Sequence, residues 1–279
     1  MKIDIILWIF DSFNLLTTFA TFNTTEMPLS KNRIKQIRSL SEKKYRSEHG
    51  TFVAEGKKLV FDLLGNCRCQ FLAGLPEVMS EISSLSAEEI VDSTPDELKK
   101  ASQLKTAPQV IGVFYKPKHD VEDIELSNKL HLVLDGIQDP GNMGTIVRLA
   151  DWFGIEHIFC SPDTADIYNP KTVQATMGAI ARVKTHYLNI FDFLKKNNDL
   201  PVFGTFLEGE NIYKAELSEN GFVVMGNEGK GISLDIQKLV TNKLFIPNYP
   251  PNAQTSESLN VAVATAIVCS EFRRRNIQA

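Results

Sequence analysis

Short apolar runs and amphipathic segments alternate along the second half of the chain. The apolar runs predict strands at residues 132–134, 157–160, 202–206, 222–225 and 243–246. Apolar residues at helical spacing predict helices between most of these strands, at 143–153, 170–180, 234–240 and 259–275. Strands that are apolar throughout are typical of a sheet covered on both faces. The alternation therefore predicts an α/β fold in which a parallel sheet has helices on both sides.

The first half of the chain carries weaker patterns of the same kind. Residues 31–46 place charged side chains at near-helical spacing with Ile34, Ile37 and Leu40 on one side, which predicts an amphipathic helix. Short strands are predicted at 51–56, 70–73 and 110–114, with helices at 57–64 and from Ser93 onward. Together these elements predict a small α/β domain at residues 29–118, followed by a charged linker at residues 119–129.

The charge balance limits how this protein can contact nucleic acid. The 279 residues suit one large domain or two smaller ones, and the net charge is −4. Such a chain is not a general nucleic-acid coat, because binding of phosphates needs concentrated positive charge. Any RNA contact must come from a local basic cluster, and one candidate cluster consists of Lys31, Arg33, Lys35, Arg38, Lys43, Lys44 and Arg46. The alternative is that these side chains form a solvated helix face.

The cysteines and histidines predict neither a metal site nor a catalytic thiol. Cys67 and Cys69 are too close for the usual zinc spacing, and no second Cys or His pair completes the set. Reduced cytosolic thiols are expected, which indicates a cytoplasmic protein. The five histidines are scattered along the chain, and we interpret them as structural or surface residues.

The N-terminal segment does not fit the rest of the chain. Residues 5–22 are mostly apolar, but Asp11 and Asn14 interrupt them, so the stretch is too short and too broken to span a bilayer comfortably. We interpret residues 1–26 as a non-native extension, with translation starting at Met27. A weak membrane anchor is the alternative.

Three polar motifs stand out in the second half of the chain. In the first, residues 139–144 read Asp-Pro-Gly-Asn-Met-Gly after a strand; Asn142 is placed to cap the next helix, and Arg148 follows within two turns. A capped helix with one exposed arginine is the alternative. In the second, residues 226–231 form a glycine-rich turn, which allows close approach of a ligand but is not a P-loop because Ile232 replaces the lysine. A tight strand-to-helix turn would account for it equally.

The third motif lies before the C-terminal helix. Ser258, Leu259 and Asn260 precede a helix rich in alanine and valine, whose small residues permit close packing. A buried terminal helix with a serine cap is the simpler interpretation of this segment on its own.

Taken together and in this order, the three motifs resemble those of the SpoU/TrmH family of RNA ribose 2'-O-methyltransferases, which are knotted enzymes that use S-adenosylmethionine. The resemblance covers about Leu130 to the C-terminus, and residues 29–118 resemble the RNA substrate-binding domain that often precedes this catalytic domain. It implies a C-terminal α/β trefoil-knot domain at residues 130–279. The loop at residues 248–257 is longer than is usual in the family.

The resemblance also implies roles for individual residues. The catalytic set would be Arg148, Asn142, Glu228, Ser258 and Asn260. The cofactor-binding set would be Thr205, Phe206, Leu207, Gly226, Ile246 and Leu259. Arginine is essentially always protonated, so we expect Arg148 to hold the target phosphate and orient the 2'-hydroxyl rather than to act as a base.

The resemblance finally implies a substrate and an assembly. We expect methylation of a ribose in ribosomal RNA by a homodimer that forms through the knotted domain and does not bind membranes. Transfer RNA is the alternative substrate, and a non-catalytic RNA-binding assembly factor is the alternative class of protein. A ribose rather than a base is expected, since no cysteine lies in the three motifs to attack a pyrimidine ring.

Overall fold

A computed structural model describes residues 29–82, 87–122, 124–250 and 256–275 of the protein. The predicted extension at residues 1–26 lies outside these residues, as does much of the long loop at 248–257. Within the described part of the chain, no helix is both long enough and apolar enough to cross a bilayer.

The first sheet has four strands, which are β1 (Thr51–Glu55), β2 (Cys69–Gly74), β3 (Ala87–Asp92) and β4 (Val110–Tyr115). Their order is β1-β4-β2-β3; β4 is antiparallel to both of its neighbours, and β2 is parallel to β3. The helices are α1 (Lys31–Ser39), α2 (Lys43–His49), α3 (Lys57–Leu64), α4 (Pro76–Met79) and α5 (Pro95–Ala101). The sheet is mixed, and its small size agrees with the predicted α/β unit.

The single helix predicted over residues 31–46 is wrong, because α1 and α2 are separate helices. The chain turns after Ser39, and the backbone N–H of Leu40 closes the last turn of α1. Leu40 and Arg46 are both buried, which a continuous helix with one apolar side would not achieve. The break lets α2 bring the Arg46 guanidinium to Asp166 of the second domain.

The second sheet has seven strands, all parallel. They are β5 (Leu130–Asp135), β6 (His157–Cys160), β7 (Lys184–Tyr187), β8 (Val202–Phe206), β9 (Glu210–Asn211), β10 (Gly221–Gly226) and β11 (Asn242–Phe245). The helices are α6 (Pro140–Trp152), α7 (Pro170–Ala175), α8 (Ile190–Lys196), α9 (Leu234–Gln237) and α10 (Val261–Arg274). The parallel sheet predicted from the apolar runs is confirmed.

The order of the strands places a crevice at the centre of the second sheet. The sheet runs β7-β6-β5-β10-β8-β11-β9, so the chain builds outward from β5 in one direction and then continues on its other side. In open parallel sheets, ligands bind outside the carboxyl ends of the strands where the order reverses. Here that place is the end of β5 and β10. The trefoil knot implied by the family resemblance stays a prediction.

The two sheets are joined by a buried ion pair and a common core. The guanidinium of Arg46 in α2 contacts Asp166 Oδ2 through Nε at 3.1 Å and Nη2 at 2.7 Å. The ring of Phe52 in β1 packs against Tyr168, with ring centroids 4.9 Å apart. One cluster of buried apolar side chains continues from β1 into β5 and α6. The first domain is therefore held in a defined position beside α7.

Candidate active site

The three polar motifs meet at the carboxyl ends of β5 and β10. These strands are neighbours, and Gly226 at the end of β10 is the register partner of Asp135 at the end of β5. The first motif follows β5 and the second follows β10. Asp135 also accepts a hydrogen bond from the backbone of Ser233 at 2.7 Å, which ties the second loop to the first strand.

A chain of side-chain hydrogen bonds links all three motifs. The Asn142 amide nitrogen donates to Glu228 Oε1 at 3.0 Å. The Asn260 amide nitrogen donates to Asn142 Oδ1, also at 3.0 Å. Asn142 therefore uses both ends of its amide, one toward the second motif and one toward the third. The backbone N–H of Gln138 lies 3.5 Å from the other carboxylate oxygen of Glu228.

The prediction that Asn142 caps the following helix is wrong. The cap is Asp139, whose Oδ1 accepts from the backbone N–H of Asn142 at 2.8 Å, with Pro140 in the first helical turn. Proline is favoured there because its fixed φ suits the helix and its missing N–H is not needed. With Asp139 as the cap, the Asn142 side chain is free to point into the site.

The serine cap predicted for the C-terminal helix is also wrong. Asn260 caps α10, and its Oδ1 accepts from Ala262 N at 3.0 Å and Val263 N at 3.3 Å. Ser258 lies before the helix and is exposed. Asn260 thus has two functions, because its oxygen starts the helix while its nitrogen reaches Asn142.

The second motif is a tight loop fixed by Asn227. The backbones of Asn227 and Gly231 form two hydrogen bonds, of 3.0 and 2.9 Å. Asn227 Oδ1 accepts from the backbone N–H groups of Gly229 and Lys230, and its Nδ2 donates to Gly136 O at 2.6 Å. A Cβ on Gly226 would come within 2.3 Å of the Gly231 backbone. Glycine is therefore required where the loop folds back, and the loop is held so that Glu228 reaches Asn142.

Arg148 is on the same helix as Asn142, but outside the hydrogen-bonded network. It lies six residues farther, which is about 9 Å along the helix axis. The side chain is exposed and forms no hydrogen bond or ion pair with another residue that the structure describes. Its fork of N–H donors is available to a bound anion such as a phosphate.

Five of the six residues predicted to hold the cofactor lie at or just beyond the ends of neighbouring strands, and the sixth, Leu259, lies just before α10. β8 pairs with β11, with Thr205 opposite Leu244 and Phe206 opposite Phe245. Ile246 follows β11 directly and packs against the core. Leu207 and Leu259 are 67% and 49% exposed. Exposed apolar side chains beside strand-end backbone groups fit a nucleoside, because the former contact a flat ring and the latter give hydrogen bonds.

The basic cluster of the first domain divides into free and paired side chains. Lys31, Lys35, Lys43 and Lys44 are exposed. Arg33 pairs with Glu89, and Arg38 donates to the carbonyl of Lys100 at 3.0 Å while remaining exposed.

Arg46 does not belong with the RNA-binding residues. Only 2% of its side chain is exposed, and besides Asp166 it donates to the carbonyls of Leu40 and Ser41. It joins the two domains because its donors are used inside the protein, and no phosphate can reach it in this structure.

Two residues of the site were missed in the sequence. Asp139 caps α6, and Lys171 at the start of α7 places its ammonium 3.2 Å from Asp139 Oδ2. The hydrogen bond from Asn142 and the nearby Lys171 lower the pKa of the Asp139 carboxyl. The run Asp-Pro-Gly before a helix was a usable signal for the cap. Lys171 had no such signal, because its pairing depends on how α6 and α7 pack.

The cysteines are not suited to nucleophilic chemistry in the folded chain. All four are free thiols, and burial raises the pKa of Cys69 and Cys269 to about 12. None lies in the three motifs. The described residues also contain no group of three or more His, Cys, Asp or Glu side chains placed to hold a metal ion.

Known proteins are similar to this chain in both fold and sequence. A Bacillus subtilis protein, 23S rRNA (guanosine(2553)-2'-O)-methyltransferase RlmP, is 29% identical over 86% of this chain and 96% of its own length. A protein from Porphyromonas gingivalis that is assigned to the TrmH family of RNA methyltransferases is 42% identical; its structure covers 88% of this chain and 99% of its own with a TM-score of 0.79. An rRNA methyltransferase from Sinorhizobium meliloti, solved with AdoMet bound, is 28% identical, covers 90% and 97%, and has a TM-score of 0.80.

Two families account for most of the sequence. Residues 31–112 match the MRM3-like substrate binding domain. Residues 129–270, which contain all three motifs, match the SpoU rRNA Methylase family. With the motifs joined in one network at the end of a parallel sheet, the chain belongs to the SpoU rRNA methylase family.

Proposed function

We propose that this protein transfers a methyl group from S-adenosylmethionine to a ribose 2'-hydroxyl of ribosomal RNA. The observation that carries the proposal is the hydrogen-bonded chain from Glu228 through Asn142 to Asn260. Family membership supports the reaction class, since the RlmP relative modifies a 2'-oxygen in 23S rRNA and the Sinorhizobium meliloti relative binds AdoMet.

The cofactor would lie against the strand ends described above. When bound, S-adenosylmethionine supplies a methyl group already activated on a sulfonium. Leu207 and Leu259 would contact its adenine ring, and the backbone near Gly226 and Ile246 would hold its polar groups. Thr205 and Phe206 would form the floor at the end of β8. The protein then has to position the ribose and remove a proton.

Arg148 would bind the phosphate beside the target ribose. Its guanidinium is exposed and has no partner among the described residues. A bidentate contact with phosphate fixes the sugar in one orientation. The positive charge also favours loss of the hydroxyl proton.

The linked side chains would hold the hydroxyl itself. Of Glu228, Asn142 and Asn260, Glu228 alone is ionisable, so it is the group in this network that can accept a proton. Asn142 orients the carboxylate by donating to it, and Asn260 orients Asn142. Ser258, exposed beside Asn260, would add a hydroxyl to the polar pocket.

Each domain would have its own function. Residues 29–118 would recognise RNA through the exposed Lys31, Arg38, Lys43 and Lys44, while residues 130–279 would carry the reaction and 119–129 would link them. The match to a substrate-binding domain supports this assignment. Lys35 would belong to the same surface, and Arg33, which pairs with Glu89, would contribute less.

A homodimer would form through the exposed side of α6 and α10, two helices that pack against each other. On α6, Thr145, Arg148 and Trp152 share one side, and Trp152 is 83% exposed. On α10, Val263 is 51% exposed. Exposed apolar side chains on two helices that pack together favour a protein contact. Such a dimer would place Arg148 at the interface between the two subunits.

The reaction can be tested with purified components. The protein is incubated with methyl-labelled S-adenosylmethionine and deproteinised ribosomal RNA from cells that lack its gene, with transfer RNA from the same cells as the second acceptor. Label in ribosomal RNA is expected. Label in transfer RNA alone would show that transfer RNA, and not ribosomal RNA, is the substrate. Cofactor binding without methyl transfer to either RNA would favour a non-catalytic assembly factor.

A further inference from the structure

A cleft between the two domains opens beside the active site. Its volume is about 550 Å³. One wall comes from the first domain and includes Val53, Gln103 and Leu104; the other comes from α7 and includes Pro170, Lys171 and Gln174. None of these residues belongs to the three motifs.

Lys171 connects this cleft to the catalytic loop. Its ammonium lies 3.2 Å from Asp139 Oδ2, while Asp139 Oδ1 accepts from the backbone N–H of Asn142 at 2.8 Å. A ligand in the cleft is thus connected to the Asn142 network through two residues, Lys171 and Asp139. The Lys171 side chain is 65% exposed, so it can also reach an anion in solution.

The lining of the cleft suits a nucleobase. Leu104 and Pro170 give apolar surface for the flat faces of a ring, whereas Val53 is almost fully buried behind them. The Gln174 amide can donate and accept at the edge of the ring. The Gln103 Nε2 donates to Arg38 O at 3.3 Å, which leaves its Oε1 as an acceptor. The volume lies within the ordinary range for small-ligand sites and accommodates one nucleotide.

The walls of the cleft are held in place before any ligand binds. The Arg46–Asp166 ion pair and the Phe52–Tyr168 contact join the domains just behind it. The carboxylate of Glu55 binds the loop that carries Gln103, by accepting from the Gln103 backbone N–H at 3.0 Å. A site that is already formed loses little conformational entropy on binding.

We propose that this cleft binds the base of the nucleotide next to the methylated one, and that Lys171 binds the phosphate between the two. The inference rests on the proposed function and adds to it a residue set that determines which RNA sequence is accepted. The adjacent base is read by Gln103 and Gln174, and the target ribose is positioned by Asn142 and Arg148.

The first test fills the cleft from the wall that the first domain provides. Leu104→Trp puts an indole into the cleft, and Thr106→Trp puts the same side chain on an exposed position two residues later that does not line it. With ribosomal RNA as acceptor, Leu104→Trp should lower kcat/KM on the order of tenfold, the value of one lost base contact. Thr106→Trp should stay within about twofold of the wild type, and both variants should bind S-adenosylmethionine normally.

The second test measures the phosphate contact at Lys171. Affinity for the same RNA is measured over a salt series for Lys171→Met and for the control Lys238→Met. Lys238 is exposed, pairs with the nearby Asp235 and does not line the cleft. Loss of one phosphate contact should reduce the slope of log affinity against log salt by about 0.7 for single-stranded RNA. A lysine that only supports Asp139 would leave this slope unchanged.

The outcomes separate the inference from the proposed function. Equal effects of Leu104→Trp and Thr106→Trp, or an unchanged salt slope for Lys171→Met, would overturn the cleft assignment while methyl transfer by the wild type stands. No methyl transfer by the wild-type protein would instead contradict the proposed function.

Discussion

At the scale of single residues, the site depends on both ends of one amide. Asn142 donates to Glu228 and accepts from Asn260. Aspartate has the same shape but no amide nitrogen, so it would lose the bond to Glu228 and keep the one from Asn260. The position is sensitive because Glu228 would then face a second carboxylate.

Asn142→Asp should therefore reduce methyl transfer by about 100-fold, the size of effect that a small misplacement of reacting groups produces. Binding of S-adenosylmethionine, measured by calorimetry, should stay near the wild-type value. Asn66→Asp is the matched control, since Asn66 donates only to a nearby backbone carbonyl in the first domain. Full activity of Asn142→Asp would remove the network from the mechanism.

Arg148 is expected to act through the shape of its side chain as well as its charge. Arg148→Ala should nearly abolish methyl transfer while cofactor still binds. Arg148→Lys should rescue it poorly, because an ammonium cannot form the paired bonds of a guanidinium. Rates for both variants would be compared with Arg274→Lys, an exposed arginine that pairs with Glu271. An Arg148→Lys enzyme with wild-type rate would leave only a requirement for positive charge.

The sequence predicted the site residues better than their contacts. Asn142, Glu228 and Asn260 were identified from motifs, and the structure joins them, but Asn142 was assigned the cap that Asp139 provides. Pairings across 86 and 118 residues depend on how the strands are ordered in the sheet. Local patterns do not contain that information, so Lys171 and Asp166 could not be found from them.

At the scale of elements, the loop after β10 shows a strict steric limit. A Cβ on Gly226 would lie 2.3 Å from the Gly231 backbone, whereas a Cβ on Gly229 would meet nothing closer than 3.7 Å. The same added methyl should have very different effects at these two positions of one loop.

Gly226→Ala should destabilise the protein by about 1–3 kcal/mol, as other overpacked sites do, and weaken cofactor binding by displacing the loop. Gly229→Ala should be close to wild type in both measurements. Chemical denaturation gives the first quantity and calorimetric titration the second. Similar behaviour of the two variants would show that the loop is not fixed as described.

Strands β6 and β7 each carry one buried histidine, His157 and His186. These two side chains should make the stability of the protein decrease in acid. Burial, together with the positive charges that neighbouring histidines would carry, lowers the pKa of both His157 and His186 from 6.5 to about 4. Their ring nitrogens lie 3.0 Å apart. Below pH 6.5 the unfolded chain takes up protons first, so stability should fall as the pH decreases from 6.5 to 4.

The measurement is the melting temperature at pH 7 and pH 5. The wild type should lose more on acidification than a variant with both His157→Phe and His186→Phe, whose rings can still stack on Phe159. Equal losses would mean that other groups control acid sensitivity.

Elements were predictable where the pattern of apolar residues was strong. The helix at residues 57–64 and the strands at 157–160 and 202–206 have the predicted bounds. Strands β3, β7 and β9 were missed, as were helices α4 and α8. β3 and β7 lie at the edges of their sheets and carry polar side chains, because one side of an edge strand faces water. An edge strand of this kind lacks the apolar run that marks a central one.

At the scale of the whole molecule, a buried ion pair joins the two domains. The Arg46–Asp166 ion pair crosses 120 residues and is almost fully buried on the arginine side. It converts a residue that the sequence placed among the RNA contacts into part of the interface.

The methyl group is expected on a ribose oxygen and not on a base. A base-modifying enzyme would need a pocket for an extruded base, and the three motif loops contain polar groups suited to a sugar and a phosphate instead. The alkaline hydrolysis ladder tests this most directly, because a methylated 2'-oxygen cannot attack the neighbouring phosphate. Ribosomal RNA treated with the wild-type protein should lack one rung that RNA treated with Arg148→Ala retains. A complete ladder, with the labelled methyl group recovered on a nucleobase, would show that the protein methylates a base instead.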